Sequence, residues 1–350
     1  MAKISKRQQN IIDFLSDNDT ASRSDIEGYI KNLDDNFSKP TLIRDLNYLI
    51  QQNLVKKSGS ARNTTYSLSN NSDLFRKIDT EKYFLKEVDE RKIKYPYFNF
   101  EVFKNLKNLF SKDEIAELDL ITKSFQDKVK TYSETELKKE YERILIELSW
   151  KSSKIEGNTY TLLDTELLIK ENIEAKGHKK EEATMILNHK TALEYIFKNR
   201  EYFENITLRK IEELHRLLVE DLGVGFGLRQ KPVGIVGTNY QPLSNQLQIR
   251  DAMENLVDCI NNSDYTIEKA LIAVLMISYI QPFEDGNKRT GRILANAILF
   301  ANNYCPISYR SVSEIEYKKA VVIFYEMNSL DYFKRLFIEQ YKFAVEKYFR

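Results

Sequence analysis

Two apolar segments separated by a short charged loop constrain the fold of this chain more than any other feature. The first, TIEKALIAVLMISYI (266–280), is apolar around nearly its whole circumference, which predicts a core helix. The second, ILANAILFANN (293–303), follows the loop QPFEDGNKRTGR (281–292). Pro282 ends the first helix because the residue before a proline avoids helical angles. The pattern predicts two buried helices of a mostly helical protein, with the polar loop between them.

The charged loop has the features of an anion site. It places three cations where the second helix begins: Lys288, Arg289 and Arg292. A helix start carries a partial positive charge, so cations there need a negative partner. Gly286 and Asn287 allow a tight turn into that helix, whose free N–H groups can hold phosphate oxygens. Asp285 is either a helix cap or a ligand for Mg²⁺ between phosphates. No GxxxxGK[ST] motif occurs, which excludes a P-loop NTPase.

The composition limits the classes of protein that the chain can belong to. Of its 350 residues 42% are hydrophobic and 30% charged, which is typical of a packed protein. Lys and Arg number 53 against 52 acidic residues, so any surface for nucleic acid must be local. Cys259 and Cys305 give no disulfide framework and no metal-ligand spacing, and the N-terminus lacks an apolar signal core. We therefore expect a cytoplasmic protein without a membrane partner.

Residues 1–68 are predicted to form a unit of their own. Apolar residues at helical spacing predict three helices, and LVKKSGSARNTTYSL predicts a hairpin after them. SKPTLIRDLNYL followed by GSARNTTYSL resembles winged-helix regulators, in which the third helix enters the major groove of DNA and the wing touches its backbone. The resemblance implies contacts to duplex DNA from Lys39, Arg44, Lys56, Lys57 and Arg62. A protein-docking module with ordinary surface lysines is the alternative, and Asp34, Asp35 and Asp45 weaken the positive field.

The rest of the chain divides into two parts. Residues 69–135 are predicted to be a linker and a helical connector, and the polar stretch SLSNNSD (67–73) marks the linker. Residues 136–350 are predicted to be a domain that contains the loop. Its loop resembles the active-site loop of Fic-domain proteins, HPFx[DE]GN[GK]RxxR, at every fixed position except the first. The segment around Gly227, Leu228 and Arg229 is similar to the family as well, so the likeness runs from about 137 to 302.

The resemblance implies a fold, an activity and roles for the loop residues. The fold would be all-α: a Fic helical core with a small β-hairpin flap, plus the N-terminal winged helix-turn-helix domain. The activity would be the transfer of AMP from ATP to a Ser, Thr or Tyr hydroxyl of a target protein, or of the chain itself. By position, Asp285 would ligate Mg²⁺, the backbone of Gly286, Asn287 and Lys288 would bind the anion, Arg289 and Arg292 would bind the β- and γ-phosphates, and Phe283 would anchor the loop in the core.

The segment VGIVGTNYQPL is predicted to be the hairpin at which the family docks its targets. Its central residues are Val236, Gly237, Thr238 and Asn239. An exposed hairpin edge can align a target segment by adding it as a further strand. The alternative is a hairpin that only covers the core.

A helix over about 137–157 places Ser152 and Glu156 on one inward face, and Gly157 ends it. A carboxylate on an apolar face needs a partner. SSKIEG fits the family's inhibitory pattern [ST]xxxE[GN], whose Glu pairs with the second loop arginine, here Arg292, and blocks the seat of the γ-phosphate. The resemblance implies self-inhibition; an ordinary surface glutamate is the alternative.

Gln281 stands where the family has the histidine that takes the proton from the target hydroxyl. An amide can orient a hydroxyl but cannot accept its proton, and a general base is worth about 10²–10⁴-fold. His215 is predicted to be a core histidine, and no pattern places His178 or His189 at the loop.

Two functions stay open. One is an AMP transferase held off by Glu156 and weakened by Gln281. The other is a catalytically silent Fic scaffold that senses nucleotide and regulates transcription through its winged helix. Some members of the family also remove AMP at the same site, and the chain could form a homodimer.

Overall fold

A computed structural model describes residues 5–18, 20–33, 37–52, 54–60 and 63–349. Its N-terminal unit has the three helices that the sequence predicted: α1 (Lys6–Asp17), α2 (Arg23–Lys31) and α3 (Lys39–Gln51). The predicted hairpin is formed by β2 (Val55–Ser58) and β3 (Thr65–Leu68), and a short strand that was not predicted, β1 (Ala21–Ser22), pairs with β3 to give the antiparallel order β1–β3–β2. Asp34, Asp35 and Arg62 lie outside the described residues.

The connector is folded against the neighbouring parts of the chain. The SLSNNSD segment that was predicted as a linker is instead the end of β3 and most of helix α4 (Asn70–Phe75). The reason is that its groups find partners: the Ser69 amide donates to the Leu54 carbonyl at 3.0 Å, and the buried Asp73 carboxylate accepts from Lys94 at 2.7 Å. The connector continues with α5 (Thr80–Phe84), the 3-10 turns Val88–Glu90 and Phe100–Asn105, and α6 (Lys112–Val129).

The C-terminal part is helical, as predicted. Its helices are α7 (Glu134–Ile155), α8 (Leu162–Glu171), α9 (Lys180–Lys198), α10 (Leu208–Val219), α11 (Gln246–Asn262), α12 (Thr266–Ile280), α13 (Asn287–Ala301), α14 (Glu314–Met327) and α15 (Asp331–Lys347), with a 3-10 turn at Arg200–Phe203.

The two apolar helices α12 and α13 form the centre of this part, and almost all their residues are buried. They pack closely because Gly291 has no side chain: a Cβ there would lie 2.8 Å from the Val274 carbonyl oxygen. The prediction of two core helices joined by a polar loop is confirmed. The N-terminal unit has its own apolar cluster, which includes Ile11, Leu46 and Tyr66.

The predicted flap hairpin is wrong. Residues 232–240, all of which the structure describes, form no strand but a loop with a turn at Val236 and Gly237. Pro232 and Pro242 bracket the segment and have no N–H to donate to a ladder. At its end the backbone pairs with the connector, since the Gln241 amide donates to the Pro96 carbonyl at 2.8 Å. Over the described ranges no helix has both the length and the apolarity that crossing a bilayer requires.

Candidate functional site

The polar loop between α12 and α13 is braced by its own side chains. The Asn287 amide oxygen accepts from the Phe283 amide at 2.9 Å, and its nitrogen donates to the Phe283 carbonyl at 2.9 Å. Phe283 is fully buried, as predicted, and its ring stacks on His215 at 3.8 Å between centroids. Gly286 caps α13 with a φ of 77°, a left-handed conformation that glycine adopts at little cost. The start of α13 is therefore held in a fixed position at the protein surface.

A second brace comes from the segment before the flap. The buried Arg229 donates from Nε to the Gln281 carbonyl at 2.7 Å and from Nη1 to the Lys231 carbonyl at 2.7 Å, and Nη2 donates to the Leu243 carbonyl. Its own amide donates to the Pro282 carbonyl at 3.0 Å. One guanidinium thus ties the loop to both ends of the flap segment.

A cleft of about 380 Å³ opens over the start of α13. Such a volume lies within the usual range of small-molecule sites, roughly 300–1,000 Å³. The loop, the end of α7, the flap segment and α14 supply its lining: Ile155, Glu156, Val233, Gly234, Ile235, Val236, Gln281, Glu284, Asp285, Gly286, Asn287, Lys288, Lys318, Val321, Val322 and Tyr325.

Glu156 closes one side of the cleft with two ion pairs. Helix α7 ends at Ile155, so Glu156 is its C-cap, and Gly157 follows with a φ of 100°. The Glu156 Oε1 accepts from Arg292 Nη2 at 2.7 Å, and its Oε2 accepts from Lys288 Nζ at 2.9 Å. Burial alone would raise the pKa of Glu156, but the charges of Arg292 and Lys288 outweigh it and lower that pKa to about 2. The carboxylate is ionised at any physiological pH.

Arg292 is also held from behind by the other predicted residue of the inhibitory pattern. Its Nε donates to the Ser152 hydroxyl at 2.9 Å, and its Nη2 donates to the Ser152 carbonyl at 3.0 Å. The Ser152 hydroxyl in turn lies 2.8 Å from Nε2 of His189, on α9. Burial, with the charges of Arg289 and Arg292, lowers the pKa of His189 to about 3, so this histidine is neutral.

Arg289 lies beside Arg292 but has different partners. Its Nη1 donates to the Leu218 carbonyl at 3.1 Å, and its Nη2 donates to the Asp285 carboxylate at 3.0 Å. The Asp285 side chain is 68% exposed, whereas Arg289 is almost fully buried. Among the described residues no group of three or more His, Cys, Asp or Glu could hold a metal ion. Asp285 alone would supply one carboxylate ligand for Mg²⁺, which commonly takes one or two carboxylates and completes its coordination with phosphate oxygens and water.

Residues 205–299 match the model of the Fic/DOC family. The chain is similar to a protein adenylyltransferase Fic of Drosophila willistoni, with 31% identity over 159 residues, which are 44% of this chain and 31% of that relative. It is similar to another of Nematostella vectensis, with 28% identity over 173 residues, 48% of this chain and 40% of the relative. The chain thus covers well under half the length of these relatives.

Two solved structures have the same fold. Fic-1 of C. elegans has a TM-score of 0.59 at 20% identity and covers 67% of this chain and 71% of that one. A Fic family protein of Desulfovibrio desulfuricans G20 has a TM-score of 0.54 at 19% identity, and the match covers 73% of this chain and 76% of that chain. The chain therefore contains a region that is similar to Fic domains.

Gln281 occupies the first position of the Fic loop in a left-handed conformation, with a φ of 51°. Its amide nitrogen donates to the Ser278 carbonyl at 2.7 Å and approaches the Tyr325 hydroxyl at 3.5 Å. Its amide oxygen accepts from Asn287 at 3.0 Å. The side chain lies at the cleft wall, but both ends of its amide bind protein groups.

The three histidines of the chain have other surroundings. His215 lies under the loop and donates from Nε2 to the Asp285 carbonyl at 3.0 Å, and burial lowers its pKa to about 4. His178 lies 3.2 Å from Glu182, far along the chain from the loop. His189 reaches Arg292 only through Ser152. Sequence reasoning missed His189, and it missed Lys318 and Tyr325 on α14, because no local pattern connects them with the loop.

The four predicted flap residues are divided between two environments. Val236 lines the cleft and is fully exposed. The other three contact the connector and α14: the Gly237 carbonyl accepts from Arg91 at 2.6 Å, Thr238 donates to Glu326 at 2.7 Å, and Asn239 donates to Asp89 at 2.9 Å.

The predicted DNA contacts that the structure describes lie on the surface of the N-terminal unit. Lys39 and Arg44 are exposed on α3, and Lys56 and Lys57 are exposed on β2. Lys39 lies 3.7 Å from Glu27. Asp45 does not weaken this surface as expected, because its carboxylate is buried and accepts from Arg7 at 2.5 Å and from Gln8 at 2.9 Å.

Proposed function

We propose that the Fic domain binds ATP with Mg²⁺ over the start of α13 and transfers AMP to a hydroxyl of a protein, and that Glu156 holds this reaction in check. The observation that carries the proposal is the double ion pair of Glu156 with Arg292 and Lys288 at a helix start. A carboxylate there occupies the place of an anion. The same cations suit a phosphate equally well.

The phosphate groups of ATP would have three kinds of partner: two at the cleft and one, the arginine pair, buried behind its lining. The first N–H groups of α13 have no partner within the helix and favour an anion. Arg289 and Arg292 offer forked guanidinium donors, and Arg292 Nη1 makes no hydrogen bond within the described residues. Asp285 would hold Mg²⁺, which neutralises phosphate charge. Glu156 must leave Arg292 before a γ-phosphate can bind there, and this requirement is the basis of self-inhibition.

The transfer itself needs a proton acceptor. The target oxygen bonds to the α-phosphorus, the bond from that phosphorus to the bridging oxygen breaks, and pyrophosphate leaves. The hydroxyl proton passes to solvent water, a weak acceptor, because the Gln281 amide offers no basic site. We therefore propose an enzyme that is both inhibited by Glu156 and slow at the chemical step. A general base would raise the rate by about 10²–10⁴-fold.

The test is AMP incorporation from labelled ATP with Mg²⁺, followed by intact mass. The variants are Glu156→Gly, Gln281→His and the double variant. We expect little incorporation by the wild type, more by Glu156→Gly, and most by the double variant. Glu171→Gly, which removes an exposed glutamate at the end of α8, is the matched control and should behave as wild type. Absence of both an AMP adduct and ATP binding in every variant would contradict the proposal.

A second candidate function is favoured by the surface of the N-terminal unit. Four cations are exposed on α3 and β2 while the nearby Asp45 faces inward, and the Gln281 amide is fully engaged. We propose as the alternative a silent Fic scaffold that regulates transcription by binding duplex DNA. Arg44 on α3 would contact bases, and Lys56 and Lys57 would contact phosphates.

Fluorescence anisotropy with the duplex upstream of the chain's own gene, against a random duplex, tests this alternative. Arg44→Ala should weaken binding to the specific duplex by about tenfold. Lys56→Ala should reduce the slope of the logarithm of the binding constant against the logarithm of the salt concentration by roughly 1. Lys107→Ala, at an exposed site of the connector, is the control. Equal weakening by Lys107→Ala and Arg44→Ala would mean that the binding does not involve α3.

A further inference from the structure

Ser152, His189 and Arg292 form a chain of hydrogen bonds behind the cleft. Arg292 Nε lies 2.9 Å from the Ser152 hydroxyl oxygen, which lies 2.8 Å from His189 Nε2. His189 Nδ1 lies 2.8 Å from the Met185 carbonyl, one helical turn earlier in α9. Ser152, His189 and Arg292 are all completely buried. This series of hydrogen bonds therefore links three helices, α7, α9 and α13, behind the cleft.

The direction of every hydrogen bond in this chain is fixed. A guanidinium can only donate, so the Ser152 oxygen accepts from Arg292. A carbonyl can only accept, so His189 carries its hydrogen on Nδ1 and donates a hydrogen bond from there to the Met185 carbonyl. His189 Nε2 is then a lone pair, and the Ser152 hydroxyl donates to it. With the lowered pKa keeping His189 neutral, the Nδ1–H tautomer satisfies the Met185 carbonyl, the Ser152 hydroxyl and Arg292 together, and the Ser153 hydroxyl lies farther from Nδ1, at 3.4 Å.

The consequence concerns the orientation of Arg292. Arg292 donates from Nε to the Ser152 hydroxyl and from Nη2 to the Ser152 carbonyl. The remaining donors of the guanidinium, including the second one on Nη2, are therefore left for Glu156 or for a ligand. If the Ser152 hydroxyl lost its acceptor, it could turn away and Arg292 could rotate. A misplaced arginine would still be charged, but it would no longer present two donors side by side.

We infer that His189 is a positioning residue that, through Ser152, orients Arg292 for the terminal phosphate of ATP. This inference rests on the proposed function, since it assigns the ligand of Arg292. It also assigns His189 a role outside proton transfer. Its effect should be specific for the nucleotide that carries a γ-phosphate.

Calorimetric titration of ATP and ADP, with Mg²⁺, tests the specificity. The parent is Glu156→Gly, so that the carboxylate does not compete. Adding His189→Leu should weaken ATP binding by about tenfold, the usual consequence of losing support for one charged hydrogen bond, and should leave ADP binding within about twofold. His189→Gln keeps an oxygen acceptor and should bind ATP nearly as the parent does. Equal changes for ATP and ADP, or no change, would overturn the inference.

A second measurement needs no nucleotide and separates this inference from the proposed function. In the full chain labelled with ¹⁵N-arginine, the Arg292 Nε–H should exchange slowly with solvent because Ser152 holds it. His189→Leu should speed that exchange by at least about tenfold, and His189→Gln should not. If the parent binds no ATP but the exchange behaves in this way, the proposed function fails and the positioning role stands. An exchange rate that His189→Leu leaves unchanged would refute the positioning role.

Discussion

Two glutamates pair with buried arginines: Glu156 at the cleft, and Glu326 where helix α14 contacts the connector. The two differ in what surrounds them. Glu326, on α14, is completely buried and has protein partners on all sides. Its carboxylate accepts from the Tyr83 hydroxyl at 2.6 Å and from Thr238 at 2.7 Å, and lies 3.3 Å from Arg91. Its backbone carbonyl accepts from the amides of residues 94 and 95.

Glu156 has strong partners too, but its side chain is 16% exposed and borders the cleft. Of its two cations, Lys288 lines the cleft at the start of α13, and Arg292 is fully buried and contacts the carboxylate, so an anion that replaced Glu156 would contact both. The comparison teaches that an ion pair stabilises the fold when the protein encloses it. When one side is open, a ligand anion can compete with the glutamate for the cations. Distance alone does not distinguish the two, since the Glu156 pairs are the shorter ones, at 2.7 and 2.9 Å.

The largest expected effect comes from Glu326→Gln. The amide keeps the shape but leaves the Arg91 charge buried without a counter-charge, which should lower the free energy of unfolding by about 3 kcal/mol. Urea unfolding followed by circular dichroism measures this loss. The flap should loosen as well, because the Thr238 and Arg91 contacts that hold it both depend on Glu326.

Glu156→Gln is the matched variant for that measurement. Here the carboxylate itself and one of its two cations, Lys288, line the cleft, so water can reach the place that the carboxylate leaves. We therefore expect a loss of about 1 kcal/mol, which pyrophosphate with Mg²⁺ restores by binding there. Pyrophosphate should not restore the loss in Glu326→Gln. Equal losses in the two variants, or equal restoration, would show that the two glutamates do not differ in the way that their surroundings indicate.

The same contrast explains which parts of the structure the sequence could predict. The core helices and the polar loop followed from spacing, because apolar periodicity is a local signal, whereas the pairing of Glu156 with Arg292 followed only from the resemblance to the family's inhibitory pattern. The Glu326 cluster did not, since Tyr83, Arg91 and Thr238 come from three distant segments. The flap was predicted as a hairpin from the segment VGIVGTNYQPL and its place in the family, but Pro232, Pro242 and the connector contacts determine its conformation. His189 lies 37 residues from Ser152 in sequence, so no pattern could join them.

A last expected effect, comparable in size to that of Glu156→Gln, separates His189 from Glu156 by its dependence on pH. Burial holds the pKa of His189 near 3, whereas an unfolded histidine titrates near about 6.5. Below about pH 6.5 His189 is therefore protonated in the unfolded chain but stays neutral in the native chain, so the free energy of unfolding decreases as the pH falls. The pKa of Glu156 is lowered to about 2, so its stabilisation is present above about pH 4.5 and is lost only as the pH falls toward 2.

Between pH 6 and pH 5 the two groups therefore contribute differently. His189→Gln removes a titrating group, so it should lose less stability over this interval than the wild type, by about 1 kcal/mol. Glu156→Gln should follow the wild type over the same interval and diverge from it only below about pH 4.5. Urea midpoints at pH 6 and pH 5 give both comparisons. If His189→Gln and the wild type lose stability in parallel, His189 is protonated in the native chain, and it could not then accept the Ser152 hydroxyl that orients Arg292.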